Sequence, residues 1–128
     1  MRIFKNAWFE RFSRKQGIAN AALLEAISRA QRGLVDADLG GGVIKQRVAR
    51  SGQGKAGSFR TIILYRKEER AFFVYGFAKS DRDSIDGDEE IAFKKAAQHV
   101  LRLSEEQLAA LIDKGQLTEV HHHDQEIP

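Results

Sequence analysis

The sequence predicts an α+β fold: a small, mainly antiparallel sheet with an N-terminal helical hairpin packed on one face and further helices at the C-terminal end. Three observations predict it. Apolar residues recur at helical spacing from Trp8 to Ala30. After the glycines Gly40–Gly42 the period changes from 3.6 to 2 over Val43–Ala49, and two strands follow, ending at Ala78. Helical spacing then returns from about Glu90. Helices grouped around a run of strands give an α+β sandwich with the helices on one face of a small sheet.

Each element follows in order. Arg2–Phe4 reads as a short first strand. Asn6 can cap a helix over Ala7–Lys15, with Trp8, Phe9 and Phe12 as one apolar stripe and Gly17 as its stop. Asn20 is expected to cap a second helix from Ala21 to about Arg32, with Leu23, Leu24, Ile27 and Ala30 inward. Asp36–Gly42 reads as a turn. Val43–Ala49 alternates as a strand, Ile44, Gln46 and Val48 on one face and Lys45 and Arg47 on the other. Ser51–Ser58 is a Gly-rich connection. Phe59–Arg66 is apolar on both faces, hence central in the sheet. The charged turn Lys67–Arg70 joins it to Ala71–Ala78, giving a hairpin. Asp81–Glu90 is an acidic loop, and a helix runs from Glu90 to about Leu103. Ser104–Gln107 is a capping box that opens a last helix, with Leu108, Leu111 and Ile112 inward and Gly115 at its end. The tail from Leu117 is expected to fray.

At 128 residues the chain suffices for one domain with its own core. It contains no cysteine, which excludes a disulfide framework, a thiolate metal site and a cysteine nucleophile. A reducing compartment fits this composition. The N-terminal MRIFKNAWFERF lacks the continuous apolar segment of a secretory signal, and no run approaches the ~18 apolar residues of a membrane span. The expected location is the cytoplasm, with no membrane partner.

Charge is split along the chain. Residues 1–80 hold sixteen Lys/Arg against six acids, and residues 81–128 hold five against twelve. The overall +3 therefore hides a basic part of +10. A strongly basic region in a small domain points to a polyanion partner, most often nucleic acid. An uneven solvated surface is the competing reading.

The motifs narrow this further. Gly52–Gly57 spells GxGxxG but precedes a strand rather than a helix, so it does not meet the requirement of a dinucleotide site. Nor is it a P-loop, since Ala56 follows Lys55. A basic loop carrying Arg50 and Lys55 towards a phosphate backbone suits it better. His121–His123 sit in a polar tail without metal-ligand spacing, and His99 reads as a packed or surface residue. Phe72, Phe73 and Phe77 read mainly as core, while Tyr65 and Tyr75 can present a polar tip. The strongest constellation is Lys45, Arg47, Arg60, Lys79 and Arg82. Arg60 lies inside an apolar strand with few acids nearby, so it is either paired with a buried acid or held open for a ligand. Scattered surface bases remain the alternative.

The stretches GGGVIKQRVAR, FRTIILYR and AFFVYGFAKSDRDSI, in this order and spacing, resemble a RelE/HigB-type toxin of bacterial type II toxin–antitoxin pairs, within the RelE/ParE superfamily. The resemblance covers about residues 2–100. It implies a RelE-like toxin domain over residues 1–103, with 104–116 as a helical extension and 117–128 as a flexible tail. It also implies a ribosome-dependent mRNA endoribonuclease that enters the A site, needs no metal or cofactor, and uses the RNA 2′-hydroxyl as nucleophile. A cognate antitoxin, mRNA and the ribosome are the implied partners. On this pattern Arg60 is the phosphate clamp. Lys79 and Arg82 are charge stabilisers or the leaving-group acid. Lys45 and Arg47 serve the substrate backbone or proton transfer, with Arg50 and Lys55 as further substrate contacts. Two departures stand out: no tyrosine lies in Asp81–Ile85, and no histidine matches the HigB pattern. The ParE branch, which inhibits DNA gyrase without ribonuclease residues, and a non-enzymatic nucleic-acid-binding regulator are the alternatives.

Overall fold

A computed structural model describes residues 1–50 and 54–122, residues 54–56 by backbone alone. Gly52 and Gln53 of the GxGxxG stretch therefore fall outside the described residues, as do the side chain of Lys55 and His123.

The described elements run β1 (Arg2–Asn6), α1 (Ala7–Gln16), α2 (Asn20–Gln31), β2 (Ala37–Gly40), β3 (Val43–Arg50), β4 (Gly54–Arg66), β5 (Arg70–Ala78), α3 (Gly87–Val100), α4 (Glu105–Asp113) and β6 (Leu117–Val120). The strands form one sheet in the order β2-β3-β4-β5-β1-β6. Every pairing is antiparallel except that of β1 with β5.

Local chemistry sets the helix ends. Asn6 accepts from the Phe9 amide at the start of α1, and Gly17 closes it in the left-handed region (φ 68°). Asp86 and Glu89 form a capping box on α3, and Ser104 and Gln107 form one on α4. Asn20 does not cap α2. Ala19 holds that position without a side-chain bond, and Asn20 instead accepts from Lys5 Nζ at 3.1 Å.

Helices cover both faces of the sheet, not one. Phe9, Leu23 and Ile27 from α1 and α2 pack with Ile3, Ile44, Phe59 and Phe73 on the first face. Ala97, Leu101 and Leu108 from α3 and α4 pack with Phe4, Val43, Ile62, Leu64 and Phe72 on the second. The reason lies in β4 and β5, whose neighbouring apolar residues point to opposite sides; a single helical layer would leave one set in water. Gly42 permits the second layer to close: a Cβ there would stand 2.8 Å from Leu101 Cδ1, and its φ of +83° disfavours any other residue.

Three segments expected as connection, turn or tail are strand. Gly54–Ser58, expected within the Gly-rich connection, opens β4, with Gly54 facing Arg50. Ala37–Gly40 pairs with β3, with a register shift between Asp38 and Gly40. Leu117–Val120, expected to fray, pairs antiparallel with β1 and buries Leu117 and Val120. Arg2 ties this edge down through Glu119 (2.8 Å) and Glu105.

Candidate nucleic-acid interface

Strand register assembles the basic site. Lys45 faces Ile62 on β4, which faces Tyr75 on β5; one row along, Arg47 faces Arg60, which faces Phe77. Alternation puts Lys45, Arg47 and Arg60 on the same face as Val43 and Ile62, the face of α3 and α4. The apolar cluster under those helices reaches Ile62, and the row Arg47–Arg60–Phe77 lies outside it. The β4–β5 register shifts between Ile62, which faces Tyr75, and Ile63, which faces Phe73, so Val74 is the extra residue on β5. Val74 and Tyr75 then both pack on the second face.

Each cation has a different environment. Arg47 is fixed through its backbone: its N–H donates to Asp36 Oδ2 (2.6 Å) and its carbonyl accepts from Arg29 Nη2 (2.6 Å). Its guanidinium stays 3.5 Å from Asp36 Oδ1, a loose ion pair. The adjacent Gln46 is fully buried and donates to the Ala26 and Leu34 carbonyls, so β3 is locked to α2 at this point. Lys45 Nζ lies 3.5 Å from Ser84 Oγ. Arg60 is half-buried and has no ion pair or hydrogen bond from its guanidinium among the described residues. It directly opposes Arg47, and like charges across a strand pair are destabilising. A polyanion between them removes that repulsion.

Arg82 is already engaged. Its guanidinium donates to both Glu89 oxygens (2.6 and 3.1 Å), to the Tyr75 hydroxyl (2.9 Å) and to the Ser84 carbonyl (2.9 Å). It also lies over the Tyr75 and Phe77 rings. The hydrogen bonds from Arg82, with one from the Asp86 backbone, hold the Glu89 carboxyl below the usual carboxylate range against a smaller effect of desolvation.

The predicted residues thus divide. Lys45, Arg47, Arg60 and Arg82 come together around Ile62, Tyr75 and Phe77. Lys79 is exposed in the turn that follows β5 and leads to Arg82. Arg50 goes to the opposite face, its guanidinium 4.8 Å from the Phe59 ring centre. Lys55 lies outside the described side chains. Sequence reasoning missed Glu89 and Asp36 as partners of the basic residues. Their signal was faint: acids separated from their arginines by a loop or a turn.

Chemically, Arg60 can offer a forked pair of N–H donors to a phosphate, with Arg47 and Lys45 adding positive charge from the next strand. Among the described residues no group of three His, Cys, Asp or Glu could hold a metal ion, and no helix is long and apolar enough to cross a membrane.

A comparison with curated proteins gives no match. A scan against family models matches residues 1–120 to the RelE toxin of the RelE/RelB toxin–antitoxin system. That span takes in every element from β1 to β6 and the whole basic row on β3 and β4. The chain therefore belongs to the RelE toxin family, the toxin partner of a cognate antitoxin.

Proposed function

We propose that this toxin is an mRNA endoribonuclease that works in the ribosomal A site of the bacterial cytoplasm and inhibits translation by metal-free cleavage. The observation that carries the reading is Arg60: a half-buried guanidinium on a central strand, facing another arginine, with no partner among the described residues. Burying a cation in this way is unfavourable in the free protein and favourable once a phosphate binds.

In this reading the 2′-oxygen of one nucleotide attacks the adjacent phosphorus. The P–O5′ bond breaks, leaving a 2′,3′-cyclic phosphate and a 5′-hydroxyl. Arg60 holds the non-bridging oxygens as negative charge builds in the pentacovalent state. Lys45 and Arg47 bind the backbone, and Lys45 is the candidate to take the 2′-proton. Lys79, as the leaving-group acid, gives the departing 5′-oxygen its proton, and Arg82 stabilises the charge there only after exchanging Glu89 for phosphate. The ribosome contributes the in-line alignment of the mRNA. The antitoxin supplies an acidic segment that covers the basic face.

The test is cleavage of a programmed mRNA by the purified toxin with ribosomes. Cyclic-phosphate ends are expected, together with loss of cutting when the nucleotide on the 5′ side of the cut is 2′-deoxy. Cutting that persists at the deoxy position would rule out the 2′-hydroxyl mechanism.

A further inference from the structure

We infer that the outer side of α1 is a second nucleic-acid contact, which takes single-stranded RNA as it leaves the Arg47–Arg60 face. The inference rests on the RNA substrate proposed above. Its starting point is an edge: β1 pairs with β5 only as far as Phe73, so α1 rather than a strand flanks β5 from there. Asn6 seals the junction by donating to the Val74 carbonyl (3.1 Å).

At this edge Trp8 keeps 37% of its surface exposed, a large aromatic area for a soluble protein to leave in water. Its ring is 4.7 Å from that of Tyr75 and 5.1 Å from that of Phe12. Beside it runs a groove of about 420 Å³ lined by Trp8, Arg11, Phe12, Lys15 and Gln16. Arg11 and Lys15 are exposed and have no ion pair among the described residues, because the acid of this helix, Glu10, is held by Lys5 and Arg14. Arg50, over Phe59, adds a third cation next to the same aromatic cluster. Aromatic rings beside unpaired cations are the chemistry that binds single strands without regard to sequence.

Continuity selects RNA over an acidic peptide. Tyr75 belongs to the row of Lys45 and Ile62, and its ring touches Trp8. Neighbouring strands lie ~4.8 Å apart, so a chain crossing from β3 to β5 travels roughly 10 Å before it meets Trp8. One extended strand can therefore occupy both places.

Trp8 is the only tryptophan, which makes it a built-in probe. The experiment titrates the full chain with 2′-O-methyl oligouridylates, which cannot be cut, of roughly three and roughly twelve nucleotides, following anisotropy and Trp8 fluorescence. The longer probe is expected to bind more tightly and to quench Trp8. In Arg11→Gln/Lys15→Gln, that gain with length should fall about tenfold, and the dependence of log K on log salt should become shallower by about 1.4. Arg60→Ala should weaken both lengths alike. If the double variant binds the longer probe as the wild type does while Arg60→Ala binds neither well, the α1 contact is overturned and the RNA reading stands. If both probes bind no better than neutral polymer, both fall. If an acidic, aromatic-containing peptide quenches Trp8 and loses affinity in the double variant while the oligonucleotide does not, the groove is a protein-docking surface and the RNA assignment is wrong.

Discussion

Arg60 and Arg82 resemble each other in sequence and differ in circumstance. Arg82 spends its donors on Glu89, Tyr75 and the Ser84 carbonyl, whereas Arg60 has no such partner among the described residues. Arg60→Ala should therefore leave unfolding free energy within about 1 kcal/mol of wild type by urea titration. The same change should lower cleavage by about 100-fold or more, the usual scale for removing one transition-state donor. Elsewhere the buried Lys5 pairs with Glu10 at 2.6 Å. Burial pushes the Glu10 carboxyl up, but Lys5 and Arg14 outweigh it and hold it below its usual range. Glu119 is also held low, chiefly by its hydrogen bond from Arg2. A carboxyl depressed in the folded state contributes stability above its unfolded value of about 4.5, and that contribution is lost as the pH falls below it. Thermal melts should thus show the midpoint falling below about pH 4.5, and Glu10→Gln should flatten that fall. The Arg60 question was legible in the sequence, because a lone arginine in an apolar strand must have either a partner or a ligand. The fate of Arg82 was not, since its partner lies across a loop whose path no local pattern sets. Arg50 was partly legible: alternation already put it with Gln46 and Val48, away from Lys45 and Arg47.

Among the elements, long periodic segments and the short first strand could be read, and the two four-residue strands could not. α1, β3, the β4–β5 hairpin and the capping box of α4 follow from spacing and caps. β2 and β6 have four residues each, too few for a period of 2 to stand out from a turn or a tail. β6 nevertheless buries both ends, Leu117 in the cluster on the second face and Val120 in the cluster on the first, as strand residues three apart must point opposite ways. It should behave as structure: Val120→Ala is expected to lower stability by about 1–2 kcal/mol in urea titration, where a frayed tail would show no change. α3 links the fold to the site, because Glu89 both caps this helix and holds Arg82. Glu89→Gln should release a cation towards the basic face and raise RNA affinity several-fold at low salt, an effect that fades as salt rises. Unchanged affinity would mean that Arg82 is structural.

For the whole molecule, the central fact is a sheet with two covered faces whose cations meet where one cover ends. The double-sided burial was written in β4 and β5, where Phe72 and Phe73 point opposite ways; reading those strands as central already required a second helical layer. Charge asymmetry pointed to a polyanion but could not place it, since only strand register aligns Arg47 with Arg60. The most direct test of the account is induction of the wild-type and Arg60→Ala chains in a bacterial host without antitoxin, with 5′-end mapping of cellular mRNA. The account predicts growth arrest with new ends inside translated frames for the wild type, and neither for Arg60→Ala. Arrest with intact mRNA would contradict it and favour a gyrase-type toxin, and cutting that survives Arg60→Ala would contradict the place given to Arg60.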